Sequence, residues 1–107
     1  VDSIPTSANQ EDHVSMAAHG ARRLLRMTVN LNYILGVELL CAAQGIEFRA
    51  PLQTSRPLQS VLRCLRNKIA TIGADRYLAP DLEAARNLVS SSDIINASGI
   101  DLPELAT

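Results

Sequence analysis

A long stretch without proline constrains the fold of this chain more than any other feature. From about residue 11 to residue 48 apolar residues recur at helical spacing, and no proline interrupts them. About 36 residues at 1.5 Å each form a rod of about 54 Å, whereas a compact domain of this size has a radius of gyration of about 13 Å. The rod therefore breaks, at Gly20 or Gly36, or it stands in a bundle completed by other chains or further sequence. We favour the bundle and predict one helix over about residues 10–48.

The two halves of this predicted helix differ in polarity. The first half has an apolar stripe and leaves Arg22, Arg23 and Arg26 on another face, whereas the second half is apolar nearly all round. A helix that is apolar on every face is covered by its own domain or by partner chains. We predict no membrane span, because a charge such as Glu38 at the centre of a bilayer would cost about 3 kcal/mol.

The remaining sequence predicts shorter elements. Ser55 before Arg56 and Pro57 is typical of a helix start, and the apolar stripe that follows continues to about Ala70. A second short helix begins at Pro80 and ends in a serine run at 90–92, and 93–107 is predicted to be a loop-like tail. The predicted fold class is therefore all-α: one very long helix (about 10–48), then two shorter helices and a tail (49–107), with no strand or hairpin.

Charge and composition exclude several functions. Lys and Arg number 10 against 11 Asp and Glu, for a net charge of −1, and aromatics make up 3% of the chain. Neither a basic field nor stacking rings are available, so we expect no nucleic acid or membrane partner. Cys41 and Cys64 lack the spacing of a zinc site or a disulfide framework, and His13 and His19 are six residues apart. We therefore expect no metal and a reduced, cytoplasmic compartment.

Other charged side chains have ordinary structural explanations. Arg63, Arg66 and Lys68 follow an apolar stripe on the predicted helix after residue 55. We predict that they are solvated or form ion pairs between subunits.

The densest polar cluster precedes the long helix, and its spacing permits two interpretations. Ser7 followed by Gln10 matches a capping box, and Glu11 and Asp12 would then complement the helix dipole in the first turn. Alternatively, the cluster is one wall of an active site, to which Gln10 contributes an amide and Glu11 a carboxylate. Spacing alone favours capping but leaves both open.

Three separated blocks resemble histidine ammonia-lyases, a family of aromatic amino acid lyases. The first is Ser-Ile-Pro-Thr-Ser-Ala-Asn-Gln-Glu-Asp-His-Val-Ser-Met at 3–16, which resembles the signature near the C-terminal end of that family. The second is Leu-Leu-Cys-Ala-Ala-Gln-Gly at 39–45 with Phe48-Arg49, and the third is Asp-Arg-Tyr-Leu-Ala-Pro-Asp at 75–81. In this order they cover about 80 residues, far more than one short motif. The resemblance identifies residues 1–107 as a C-terminal helical segment of a larger lyase.

The resemblance implies an all-α homotetramer whose active sites collect residues from several subunits. Such enzymes eliminate ammonia from L-histidine to give urocanate, in histidine degradation. The Glu matching Glu11 lines the site and faces the substrate imidazole, and the Gln matching Gln10 lies beside it. Glu11 is thus the predicted catalytic residue, and Gln10 and Glu11 are the predicted substrate-binding residues. Whether Glu11 is the base or mainly binds substrate is left open.

The residues around Glu11 also bear on the substrate. Phenylalanine and tyrosine ammonia-lyases resemble this region but have Asn-Gln-Asp where this chain has Gln10-Glu11-Asp12. A carboxylate can accept a hydrogen bond from an imidazole N–H, for which a phenyl ring has no equivalent. The difference favours histidine over phenylalanine and tyrosine as the substrate.

The family's electrophile, methylidene-imidazolone, forms autocatalytically from an internal Ala-Ser-Gly. Ala97-Ser98-Gly99 matches that triplet, but a terminal tail lacks the strain and enclosure that cyclisation needs. We therefore predict that no residue of this chain forms the cofactor and that the chain is inactive alone. The alternatives are a non-catalytic helical oligomerisation module and a lyase or aminomutase of the same family acting on another aromatic amino acid.

Overall fold

The structure is a computed structural model that describes residues 3–103, except for the side chains of Glu11 and Asp12. It is mostly helical, with one long helix followed by shorter ones, which confirms the predicted fold class. The chain divides into two compact units, one extending to Leu31 and the other beginning at Asn32. In chain order the elements are β1 (Ser3–Thr6), a short 3-10 turn (Ser7–Asn9), β2 (Glu11–Ser15), α1 (Ala17–Glu47), α2 (Arg56–Arg66), α3 (Ala79–Ser90) and α4 (Asp93–Ser98).

The first unit contains a β-hairpin that the sequence analysis did not predict. β1 and β2 pair antiparallel, with Ser3 opposite Ser15 and Ile4 opposite Val14. The long helix therefore begins at Ala17, not near residue 10. The prediction was wrong here because Val14, Met16 and Ala17 continue the helical spacing of α1, and short apolar runs do not separate strand from helix.

α1 is continuous through both glycines at which a break was considered. Its 31 residues give a length of about 46 Å. By length and composition α1 could cross a membrane, since its most apolar window has a mean hydropathy of 1.3, and 11% of that window is buried. The core helix of a water-soluble protein meets the same criteria, so this result is weak support for a membrane span.

The core of the second unit lies where the C-terminal half of α1 meets the segments around α2 and α3. Its buried side chains are Leu40, Ala43, Leu65, Ile69, Ala85 and Leu88. Gly36 lies at a close approach of α1 and α3, because a Cβ placed there would lie 3.0 Å from the Arg86 amide nitrogen and 3.3 Å from the Ala85 carbonyl carbon. The absence of a side chain at Gly36 thus sets the spacing of the two helices.

We expect Gly36→Ala to be less stable than Gly45→Ala by about 1 kcal/mol or more, as for an overpacked core position. Both changes add the same methyl group within α1, so both gain the same helix propensity of about 1 kcal/mol. A Cβ at Gly45 meets nothing within 4 Å, whereas at Gly36 it presses on the backbone of α3. Urea unfolding of the two variants measures the difference, and equal stabilities would contradict the assigned close approach.

The short helices agree with the sequence analysis in part. α2 begins directly after Ser55 with a proline in its first turn, as predicted, but it ends at Arg66 instead of about residue 70. α3 starts at Ala79, next to the predicted start, and ends at Ser90. The tail prediction was wrong for α4, since Ile94 packs against the core and stabilises a further turn and a half of helix. Gly99, at φ +64°, ends α4.

Candidate functional site

The tip of the hairpin has an unusual backbone. Ser7, Ala8 and Asn9 are consecutive non-glycine residues with φ of +54°, +53° and +67°. The left-handed conformation costs a non-glycine residue about 1–2 kcal/mol. One backbone hydrogen bond closes the turn, donated by the Gln10 N–H to the Ser7 carbonyl oxygen at 3.0 Å. The residues of this turn are all exposed, so contacts within the described chain do not bury it.

The two predicted site residues follow this turn directly. Gln10 is exposed and returns to right-handed geometry, with φ −85° and ψ −24°. Glu11 opens β2 with its backbone opposite Thr6; its side chain lies outside the described residues. Pro5 faces His13 whereas Thr6 faces Glu11, so the intervening residue of β2 is the extra one of a β-bulge. Bulges of this kind occur beside active sites, where they change the direction of a strand.

This geometry excludes the capping interpretation. Ser7 lies in the hairpin turn and Gln10 directly after it, well before α1 begins at Ala17. Glu11 belongs to a strand, and the first turn of α1 contains no acidic residue. The interpretation of this cluster as one wall of an active site stays a prediction.

The Ala97-Ser98-Gly99 triplet lies at the end of α4. The Ser98 hydroxyl donates to the Ile95 carbonyl oxygen at 2.7 Å and accepts from the Ile100 N–H at 3.1 Å. The Gly99 N–H donates to the Asn96 carbonyl oxygen at 3.3 Å, and Gly99 is exposed. The hydroxyl and the amide that cyclisation would use are therefore part of a helix end, and the expectation that this triplet forms no electrophile stays a prediction.

The remaining metal and thiol candidates are dispersed. His13 and His19 are both exposed, Cys41 is an exposed free thiol, and Cys64 is a half-buried one. Within residues 3–103, leaving out the side chains of Glu11 and Asp12, no three His, Cys, Asp or Glu side chains are grouped so that they could hold a metal ion.

The segment between α2 and α3 is held by a polar network that the sequence analysis missed. The Gln44 amide pairs with the backbone of Ile72, donating to its carbonyl oxygen at 3.2 Å and accepting from its N–H at 3.1 Å. Arg66 donates to both carboxylate oxygens of Glu47, at 2.7 and 2.8 Å. Arg66 was expected to be solvated or to pair between subunits; it pairs within the chain.

Arg76 fixes the other end of the same segment. Its guanidinium donates to Asp81 at 2.8 and 2.9 Å and to the carbonyl oxygens of Ala70 and Thr71 at 2.8 and 3.0 Å. Arg76 and Asp81 belong to the third block of the resemblance. Their pairing gives that block a structural role in shaping the entry to α3.

A third cluster joins α1 to α3 at the surface. The Tyr33 hydroxyl donates to Glu83 at 2.6 Å, Arg86 donates to the same carboxylate at 2.6 Å, and the guanidinium lies 5.3 Å from the centre of the Tyr33 ring. The Glu83 hydrogen bond raises the pKa of Tyr33, and the hydrogen bond from Arg86 lowers the pKa of Glu83. Because Tyr33 is 50 residues from Glu83 in sequence, no local pattern indicated that Tyr33 joins this pair.

α1 leaves many large apolar side chains exposed. A cavity of about 380 Å³ opens on its C-terminal half, and its lining includes Val37, Cys41 and Phe48. This surface agrees with the expectation that other chains or further sequence cover α1. The exposed large apolar residues of α1 are Leu24, Leu25, Met27, Val29, Leu31, Tyr33, Ile34, Leu35 and Val37.

Comparison with known proteins decides the family. The sequence pattern of the family described as "Aromatic amino acid lyase" matches residues 1–67, which include the hairpin, α1 and α2. The chain belongs to the aromatic amino acid lyase family. The family pattern thus agrees with the blocks noted in the sequence.

The most similar curated lyases described here share more than half of their aligned residues with this chain. The histidine ammonia-lyase of Roseobacter denitrificans is 64% identical over 102 residues, which are 95% of this chain and 20% of that enzyme. The histidine ammonia-lyase of Bartonella quintana is 61% identical over 105 residues, 98% of this chain and 20% of that enzyme. The chain therefore spans about one fifth of the length of the curated lyases it matches.

Solved lyase-family structures share the fold. The histidine ammonia-lyase of Trypanosoma cruzi superposes with a TM-score of 0.78 at 36% identity, covering 92% of this chain and 19% of that one. A tyrosine aminomutase from Streptomyces globisporus superposes with a TM-score of 0.76 at 31% identity, covering 90% and 18%. Because the two scores are nearly equal, the fold alone does not select the substrate.

Proposed function

We propose that this chain is part of a histidine ammonia-lyase, which converts L-histidine to urocanate and ammonia. In that elimination a proton leaves Cβ, ammonia leaves Cα, and a carbon–carbon double bond forms between them. The observation that carries the proposal is the 64% identity to a histidine ammonia-lyase over 95% of this chain. By comparison, the tyrosine aminomutase of the same fold is only 31% identical to this chain.

Within that enzyme we assign Gln10 and Glu11 to the wall of the substrate site. The Glu11 carboxylate is the group that would accept the imidazole N–H or stabilise imidazolium character, and Gln10 would supply an amide beside it. The position of both residues at a strained turn with a bulge supports the assignment, because strained backbone is concentrated at functional sites. This assignment retains both roles considered for Glu11, base and substrate binder.

The electrophilic cofactor of the family does not fit the residues of this chain. The one Ala-Ser-Gly present, at 97–99, has its hydroxyl and amide bonded within the end of α4. We propose that methylidene-imidazolone forms in the other four fifths of the enzyme and that the chain alone is inactive.

We propose a cytoplasmic homotetramer as the assembly, with α1 covered by the rest of the enzyme. The exposed apolar side chains of α1 support this arrangement, since each square ångström left in water costs about 25 cal/mol. The same surface favours the second candidate function, a helical module that associates but catalyses nothing.

A chimera tests the proposed function. This chain replaces the matching 102-residue segment of the Roseobacter denitrificans enzyme, and urocanate formation from L-histidine is followed by absorbance. We expect turnover within about tenfold of the unmodified enzyme, with L-tyrosine and L-phenylalanine at background. A chimera that sediments as the parent enzyme does but leaves histidine unchanged would support the non-catalytic module. Turnover of tyrosine in place of histidine would support the alternative that the enzyme acts on another aromatic amino acid.

A further inference from the structure

The three left-handed residues at the hairpin tip have no explanation in the packing of the chain. Single glycines commonly adopt this conformation and asparagine tolerates it, but this turn also contains Ser7 and Ala8, which disfavour it. Such strain persists only where the surroundings or the function require one backbone path. Since all three residues are exposed, burial against the described residues does not supply that requirement.

The elements on either side of the turn restrict the backbone further. Pro5, with its fixed φ, lies two residues before Ser7, and the bulge of β2 lies directly after Glu11. Between these two features the Gln10 N–H donates to the Ser7 carbonyl oxygen and closes the turn. Gln10 and Glu11 therefore lie directly between the left-handed turn and the bulge.

We propose that Ser7, Ala8 and Asn9 are positioning residues, whose left-handed turn fixes the main chain of Gln10 and Glu11 in the substrate site. This inference rests on the proposed function and adds to it the residues that act through Glu11. Ala8 tests the role most directly, since its methyl side chain offers no hydrogen bond that a substitution would also remove.

The test compares Ala8→Val with Ala8→Gly in the chimera. A β-branched residue strongly disfavours positive φ, whereas glycine adopts it freely. We expect Ala8→Val to lower kcat/KM for L-histidine about tenfold and Ala8→Gly to stay within about threefold of the parent. Ala74→Val makes the same change at an exposed alanine outside the left-handed region. We expect that control to stay within about twofold of the parent.

A second comparison separates positioning from a general loss of structure. If Ala8 acts through Glu11, adding Ala8→Val to Glu11→Gln lowers kcat/KM less than about twofold further, because the two changes remove the same interaction. Thermal unfolding and sedimentation of Ala8→Val should match those of the parent. The proposal would be overturned if the effects of Ala8→Val and Glu11→Gln on kcat/KM were fully additive. Equal effects of Ala8→Val and Ala74→Val would also overturn it.

A milder substitution covers the case in which Ala8→Val does not fold. Asparagine tolerates positive φ better than alanine does, so Asn9→Ala should lower kcat/KM about threefold and Asn9→Gly should not. Equal activity of these two variants would overturn the proposal. An inactive parent chimera would reject the proposed function instead, so the two failures are distinguishable.

Discussion

Glu11→Gln in the chimera is expected to lower turnover of L-histidine by about 100-fold or more, the range for a positioned acid or base. Glutamine keeps the size of the side chain but removes the negative charge that would stabilise imidazolium character. The same change also makes the block more like that of phenylalanine and tyrosine ammonia-lyases, which have an amide at this position.

The two roles of Glu11 lead to different kinetics. If Glu11 is the base, kcat falls with KM nearly unchanged; if it mainly binds the imidazole in the ground state, KM for histidine rises with kcat less affected. Steady-state urocanate formation over a range of histidine concentrations measures both constants.

Asp101→Asn is the matched control for Glu11→Gln. It also converts a carboxylate into an amide, at an exposed position beyond α4. We expect it to stay within about twofold of the parent, as for surface substitutions away from a site. If Glu11→Gln kept the turnover of the parent, the assignment of Glu11 to the active site would be wrong.

The helices were predictable because local patterns specify them. α2 follows from a proline in its first turn after Ser55, and α3 follows from Pro80 with Asp81 in the first turn. The second half of α1 follows from apolar residues at helical spacing without proline. In each case residues a few positions apart contain the whole signal, so tertiary contacts did not have to be known.

The hairpin was not predictable, for two physical reasons. Its strands are short, and Val14 continues the helical spacing of α1. Its turn also lacks the glycine that usually marks a tight hairpin, because Ser7, Ala8 and Asn9 adopt the left-handed conformation instead. When ordinary residues adopt the left-handed conformation, the sequence contains no glycine that would indicate the turn.

The same error affected the candidate site. The capping interpretation of Ser7 and Gln10 assumed that a helix began there, and it was wrong because the helix begins at Ala17. Gln10 and Glu11 were singled out only through the resemblance of their block to a known family. The contacts of residues 66–72 with α1 were missed because the partners lie 19 to 28 residues apart, as in Arg66 with Glu47 and Ile72 with Gln44.

Arg66→Met is expected to lower the free energy of unfolding by about 2 kcal/mol, the cost of leaving the partly buried Glu47 carboxylate without its ion pair and of losing the hydrogen bonds to two backbone carbonyls. The side chains of Arg66 and Glu47 are 15% and 24% exposed, and the guanidinium binds both carboxylate oxygens. Arg66 also donates to the carbonyl oxygens of Ile69 and Ala70, at 3.4 and 3.3 Å. Methionine is a good helix former and keeps the apolar stem of the side chain. The fall in the free energy of unfolding therefore measures the contribution of the guanidinium group.

Arg63 provides the control on the same helix, one turn earlier. It is exposed and donates to the Ser60 hydroxyl at 3.0 Å, so Arg63→Met should change stability by less than about 0.5 kcal/mol. Urea unfolding followed by circular dichroism measures both variants. Because the Glu47 pair is partly buried, the difference between them should persist at high salt, where exposed ion pairs are screened.

A double substitution tests how much of the loss of stability in Arg66→Met comes from the ion pair with Glu47. In a Glu47→Gln background Arg66→Met should cost about 1 kcal/mol less than in the parent, since the ion pair is already broken. Arg66→Lys should lie between the parent and Arg66→Met, because an ammonium keeps the charge but does not reproduce the planar two-point contact. If Arg66→Met proves as mild as Arg63→Met, the segment between α2 and α3 is held by Gln44 and Arg76 without help from the Glu47 pair.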